Sequence, residues 1–272
     1  DGYRAYYPWT NPGGYSRMLL HNTEDSEHPY TIDVFKVVGG EAHEYVLHGD
    51  TQSNMEIKFG SNIGPITSIP DVTPRPEIPC SQGFGSDDLE SWETIFEEKK
   101  RASVADGVFV VEMDVVCDEE TVPILRCEGP RNEVIQSTTL WGVPVGANSE
   151  LMSGQVPHNL REYDDSRRSG FSGCDFDVTD PQTRYKQAYY VNKNVKSDAS
   201  DPPAVTGGGE APLSSMFIHV IEPKRDKSVV DANTIASVER VEVGAGGGDA
   251  VGLKITKEDG RKDVVLMRLT PG

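Results

Sequence analysis

Apolar and polar residues alternate with a period of two along much of this chain, and that period predicts strands. In YTIDVFKVV (30–38), Tyr30, Ile32, Val34 and Val38 fall on one face and Thr31, Asp33, Phe35 and Val37 on the other. Both faces are largely apolar, so a mostly buried strand is expected. Gly39-Gly40 turns the chain, and a return strand begins over Glu44–His48. A clearer strand covers 108–116, where Phe109, Val111, Met113 and Val115 face one way and Glu112 and Asp114 interrupt the other face. A weaker one covers 134–141. Further strands are expected at 216–222 and 235–243. At 251–256, Val251, Leu253 and Ile255 alternate with Gly252, Lys254 and Thr256, and 264–269 closes a hairpin on them. The turn of that hairpin is Asp259-Gly260, since both residue types tolerate positive φ. The stretch 86–101 fits either a helix carrying Leu89, Trp92 and Phe96 or a strand carrying Trp92, Thr94 and Phe96; its β-rich surroundings favour the strand.

Between these elements lie long irregular stretches. Pro65, Pro70, Pro74, Pro76 and Pro79 make 64–80 an extended connector, because each proline removes a donor and fixes φ. From about 142 to 215 the chain is mostly polar, and its segment SDASDPPAVTGGGEAP (197–212) offers too little apolar surface to offset the entropy of ordering. That segment is expected to be a mobile surface loop. No repeat of solenoid or propeller length is present. The expected fold is all-β, an antiparallel β-sandwich with long irregular loops, forming a single domain over residues 1–272.

Composition narrows the function classes. Hydrophobic residues make up 36% of the 272, enough for a core. Lys and Arg total 26 against 44 Asp and Glu, a formal net charge of -18. The molecule as a whole repels phosphate backbones, which argues against nucleic acid as a partner. A polyanionic ligand would need a local basic site. The two basic clusters, Arg161 with Arg167 and Arg168, and Lys224 with Arg225 and Lys227, read as solvated loops. Cys80, Cys117, Cys127 and Cys174 permit three full pairings, among which sequence does not choose. Cys117 and Cys127 flank a hairpin that a cross-strand bridge would close, and buried free thiols fit as well. No C-x-x-C occurs, so a zinc ribbon or thioredoxin-type site is unsupported. No apolar run approaches the length of a membrane span. The opening at Asp1, without a signal-peptide pattern, reads as the edge of a fragment or processed product.

Three segments, in order, resemble the heparinase II/III-like polysaccharide lyases. The first is YSRMLLHNTEDSEHPYTIDVFKVVGGEAHEYVLHG (15–49), whose D-V-F-K-V-V-G-G (33–40) and H-E-Y-V-L-H-G (43–49) carry the match; Lys36 stands where that family usually has Arg. The second is SSMFIHVIEPKRDKSVVDANTIASVERV (214–241), and the third LKITKEDGRKDVVL (253–266). The resemblance implies a C-terminal β-sandwich that follows an (α/α) toroid in the full enzyme. It also implies β-elimination of uronic-acid-containing polysaccharide, and a secreted or periplasmic location. In that family the catalytic Tyr and His come largely from the toroid, and metal-binding histidines lie upstream of the matched blocks. This chain has no H-x-H-x-D stretch, and Leu20-His21-Asn22 lies too close to the 30–38 strand to stand for the family's T-H-N, so no cofactor is expected in this chain.

Among the histidines, His43 and His48 with Tyr45 form the sharpest group. On a strand His43 and Tyr45 face one way and His48 the other, which argues against a shared metal and favours structural roles for the two histidines. His219, alternating with Phe217 and Ile221, also reads as structural; His28 and His158 fall in loops. No G-x-S-x-G occurs, so a hydrolase triad is unsupported. The opening residues, with Tyr3, Tyr6, Tyr7, Trp9 and Tyr15 around Asn11-Pro12-Gly13-Gly14, fit a capped core edge better than a sugar-stacking loop. The candidate sugar contacts are therefore His43, Tyr45, His48 and Trp9, with no catalytic or metal-binding residue assigned. The expected role is to support the toroid and line the sugar cleft. The alternatives are a free-standing carbohydrate-binding or adhesion module and, third, a self-sufficient glycoside-active enzyme.

Overall fold

The structure, a computed structural model, describes residues 14–23, 29–39, 42–48, 54–70, 97–104, 107–117, 133–145, 149–156, 187–195, 213–224, 234–244 and 250–269. These residues form strands and turns with no helix, and hence none long and apolar enough to cross a membrane. The strands are β1 (Tyr15–Asn22), β2 (Tyr30–Val38), β3 (Ala42–His48), β4 (Asn54–Phe59), β5 (Thr67–Ser68), β6 (Glu97–Ser103) and β7 (Phe109–Cys117). They continue as β8 (Glu133–Val143), β9 (Ser149–Val156), β10 (Gln187–Val195), β11 (Ser214–Lys224), β12 (Ile235–Val241), β13 (Ala250–Lys257) and β14 (Lys262–Arg268).

All the pairings are antiparallel, and they build three sheets. The central sheet runs β1-β2-β11-β8-β7-β4, the second β3-β10-β9-β6-β5 and the third β12-β13-β14. The central sheet has apolar residues on both faces, which is what the two apolar faces of 30–38 require. One face presents Phe35, Phe109, Val111, Leu140 and Phe217 to Tyr45 and Leu151 of the second sheet. This pair of sheets is the sandwich that the alternation predicts. The opposite face presents Tyr30, Ile32, Val34, Trp141 and Ile218 to Val238, Leu253 and Ile255 of the third sheet. Gly142 stands opposite Phe109 in the ladder, and a Cβ there would lie 1.9 Å from the Phe109 ring. Only glycine lets that ring lie flat over the central sheet.

The expected strands at 30–38, 108–116, 216–222, 235–243, 251–256 and 264–269 correspond to β2, β7, β11, β12, β13 and β14, with shifted ends. The hairpin turn falls at Asp259-Gly260, where Gly260 has φ +84°. The weaker expectation at 134–141 is β8, which contributes the buried Leu140, Trp141 and Val143. Of 86–101, residues 97–101 belong to β6 and the rest lie outside the described residues.

The stretch from about 142 to 215 departs from its expectation as one irregular region. It contributes β9 and β10, which pair with each other in the second sheet. In β9, residues 151–154 are all buried, so no alternation marks the strand. Lys224, read as part of a solvated loop, is buried at the end of β11. Residues 197–212, Trp9, His28, His158, Arg161, Arg167, Arg168, Arg225, Lys227, Cys80, Cys127 and Cys174 lie outside the described residues, and the Cys117–Cys127 bridge with them.

Candidate functional site

β3 carries the sequence-predicted residues onto the sandwich interior. His43 and Tyr45 share its inward face, at 8% and 4% exposure. His48 ends the strand, paired in the ladder with Tyr189, and its side chain lies outside the described residues. Beneath Tyr45 is a buried charge that period-two reading marks only as a polar break in an apolar strand. Asp33 of β2 is fully buried. Arg17 of β1 donates to it twice, Nε to Oδ1 at 2.9 Å and NH2 to Oδ2 at 2.6 Å. The Tyr45 hydroxyl donates to Oδ2 at 2.8 Å. Three hydrogen bonds, two of them from one bidentate guanidinium, offset much of the carboxylate's desolvation cost. The pairing pushes Arg17 further up in pKa, the Asp33 hydrogen bond leading. Burial, reinforced by the Asp33 charge, pushes the Tyr45 phenol well up, so it remains a donor.

His219 completes the group. It pairs with Asp33 across the β2–β11 ladder. Its ring stacks on Tyr45 at 4.3 Å between centroids and 22° between planes, and meets Phe109 edge-on at 6.5 Å. Burial lowers its pKa to about 4, so the ring is neutral across the neutral range. His43 is also lowered by burial, opposed by its hydrogen bond to Gly39. The Gly39 carbonyl only accepts, so His43 Nε2 is the donor there and Nδ1 accepts from Ser215 Oγ at 2.8 Å. His21, by contrast, is exposed, with Nδ1 2.8 Å from Thr31 Oγ1.

Two further polar links tie the third sheet to the central one. Glu222 of β11 is buried and accepts from Thr234 N at 2.7 Å, Ile235 N at 3.1 Å, the Thr234 hydroxyl and Trp141 Nε1 at 3.4 Å. It thereby caps the start of β12. Tyr30 of β2 donates its hydroxyl to Asp263 Oδ2 of β14 at 2.7 Å, and Asn22 Nδ2 donates to the Tyr30 oxygen at 2.9 Å. The ammonium of Lys257 lies 3.8 Å from Asp263 and 5.8 Å from the Tyr30 ring centroid. Tyr30→Phe is expected to cost about 1 kcal/mol, the net worth of one hydrogen bond, because the ring keeps its packing. Thermal unfolding checks this; an unchanged midpoint would mean the link contributes nothing to docking of the third sheet.

Chemically, these groups are committed to one another. Tyr45 spends its proton on Asp33, and His43 has both ring nitrogens engaged. They fix the relative placement of strands more than they offer groups to solvent. No cluster of three or more His, Cys, Asp or Glu side chains among the described residues is arranged to hold a metal ion. Sequence reading pointed to His43 and Tyr45 but missed Asp33 as the acceptor that holds Tyr45. The available signal was a lone acidic residue inside an otherwise apolar strand. No protein-family model matches the chain, and no curated protein matches it.

Proposed function

We propose that this chain is the C-terminal β-sandwich portion of a heparinase II/III-like polysaccharide lyase, secreted or periplasmic, which supports an (α/α) toroid and lines one wall of the sugar cleft. The observation that carries this reading is the convergence of the three resembling segments, chosen on sequence alone. The first supplies β1, β2 and β3, the second β11 and β12, and the third most of β13 and β14. Side-chain contacts run between these segments. Tyr30 of the first bonds Asp263 of the third, and His43 of the first bonds Ser215 of the second. Tyr45 of the first stacks on His219 of the second.

In this reading the framework is structural, and the acid, base and carboxylate-neutralising groups of β-elimination belong to the toroid junction. His43 and Tyr45 act from beneath the sugar-facing surface, by fixing β3 to the central sheet. Residues 1–272 alone are therefore expected to form no unsaturated product, whereas the full protein with its toroid cleaves polyuronate. The check is ultraviolet absorbance of the unsaturated uronate product, with alginate, heparan sulfate and chondroitin offered in turn. Sustained turnover by pure 1–272 would overturn the division of labour. Glycan binding by a full-length protein that has no helical region and forms no product would favour a free-standing binding module instead.

A further inference from the structure

The third sheet buries Val251, Leu253, Ile255 and Met267 against the central sheet, so the residues alternating with them face outward. The ladder sets these in rows across the three strands: Ser237, Thr256 and Lys262, then Glu239, Lys254 and Val264, then Val241, Gly252 and Leu266. Val264 and Leu266 of β14 are 65% and 66% exposed. Gly252 has no side chain, and a Cβ there would lie 2.8 Å from Val243 Cγ2 and 3.3 Å from Leu266 Cδ2. Val243 and Leu266 therefore close over it. An exposed apolar strip runs from Val243 across Gly252 to Leu266 and Val264.

The strip reaches a free edge. Among the described residues β14 pairs with β13 alone, so one line of its backbone donors and acceptors has no ladder partner. β14 contains no proline and pairs without a register shift from Lys262 to Arg268, whereas the opposite end strand, β12, is broken by a shift between Ile235 and Ser237. Of the devices that blunt an edge, β14 carries only charge. Lys262 and Arg268 end its outward row, are exposed, and have no ion pair among the described residues. Glu239 is engaged by Lys254, Asp259 by Arg261, and Asp263 turns inward to Tyr30 and Lys257. Glu242 and Glu258 lie beyond the ends of β12 and β13.

The geometry points to strand addition: β14 takes up an extended polypeptide segment that sets two apolar side chains beside Val264 and Leu266 and an acidic one beside each of Lys262 and Arg268. The free backbone edge supplies hydrogen bonds, and the alternate side chains supply selectivity. Charge decides between this occupant and a second copy of the chain. An antiparallel pair of β14 strands that sets Val264 of one copy against Leu266 of the other also sets Lys262 against Arg268, and like charges directly opposite are destabilising. An acidic strand turns both contacts into attraction. The net charge of -18 opposes an acidic partner at long range. At about 0.1 M salt, exposed charges more than about 10 Å away are largely screened, while the two cations act at contact. The inference goes beyond the lyase reading and holds or falls without it.

The probe is a capped heptapeptide, E-T-V-T-I-T-E, whose alternate residues match Lys262, Val264, Leu266 and Arg268 in either strand direction. The controls are K-T-V-T-I-T-K, the shuffled peptide V-I-E-E-T-T-T, and vesicles of phosphatidylcholine with phosphatidylserine. Chemical-shift perturbation of 1–272 at about 0.1 M salt is expected to place the acidic probe on residues 262–268. The basic peptide should bind about tenfold more weakly, and the gap should narrow as salt rises. Leu266→Lys should abolish binding. Lys262→Glu with Arg268→Glu should reverse the preference between the two charged peptides, a gain that misfolding does not mimic. Equal binding of the charged peptides, equal binding of the shuffled one, shifts centred on another strand edge, or no reversal in the double variant would each overturn the assignment. So would no binding of the probe, vesicle binding in its place, or a dimer held through β14 in sedimentation of the free chain.

Discussion

Arg17→Ala is expected to cost about 3 kcal/mol of folding stability, the lower end of what breaking a buried pair costs, and to cost more than Asp33→Asn. The asymmetry follows from exposure. The Arg17 side chain is 49% exposed while that of Asp33 is fully buried. Asp33→Asn keeps an amide oxygen to accept from the Tyr45 hydroxyl and lets the guanidinium turn to water, and the main penalty is an amide NH2 that faces the Arg17 donors in place of an acceptor. Removing Arg17 strands a carboxylate in the sandwich interior with Tyr45 as its remaining hydrogen-bond donor of the three. Arg17 also lies 5.9 Å from the Phe35 ring centroid and 6.0 Å from that of Tyr45, so alanine forfeits packing over both rings. The double variant Arg17→Ala with Asp33→Asn should be more stable than Arg17→Ala alone, because the stranded charge is gone. Urea unfolding at neutral pH measures all three. An Arg17→Ala loss under 1 kcal/mol, or a double variant no more stable than Arg17→Ala, would mean that the Asp33 cluster does not brace β1 and β3 against β2 as described.

The same cluster shows what sequence reading reaches and where it stops. Alternation located β2, β7 and β13 because each has an apolar side chain at every second position and a sheet to cover it. It missed β9, whose residues 151–154 are all buried, Ser153 among Leu151 and Met152. With Ser153 and Gly154 among its buried positions, SELMSGQV shows neither alternation nor an apolar run. Alternation also says which residues are buried and not what buries them. The two apolar faces of 30–38 required two covering layers, but nothing in the pattern assigned β12, β13 and β14 to one and β3 to the other. Asp33 was visible as a charge in an apolar strand, yet its partners come from β1, β3 and β11, and only the fold brings Arg17, Tyr45 and His219 around it. Tyr45 was picked for its motif, and its geometry assigns it to holding Asp33.

Acid is expected to destabilise the protein between pH 6.5 and 4 through His219, by roughly 3 kcal/mol over that interval. The ring is fully buried among Tyr45, Phe109 and the Asp33–Arg17 pair. Burial lowers its pKa from 6.5 to about 4; the charge of Asp33 opposes that shift and that of Arg17 adds to it. The sign follows from which state binds the proton first. Above pH 6.5 the ring is neutral in folded and unfolded chains alike, and stability from this group is fully present. As pH falls through 6.5 the unfolded chain takes up the proton while the folded one does not, so unfolding is favoured. The loss levels off near pH 4, where the folded ring protonates as well. His43, lowered by burial too, adds to the slope with the same sign. His219→Phe keeps a flat ring against Tyr45 and removes the titration, so its stability should fall less steeply than that of the wild type over this window. The measurement is urea unfolding of both proteins at a series of pH values, read as the difference between them, which cancels the many carboxylates they share. A difference that does not change from pH 7 to 4 would mean that His219 is protonated in the folded protein or open to water, and the stacked, neutral ring assigned to it would be wrong.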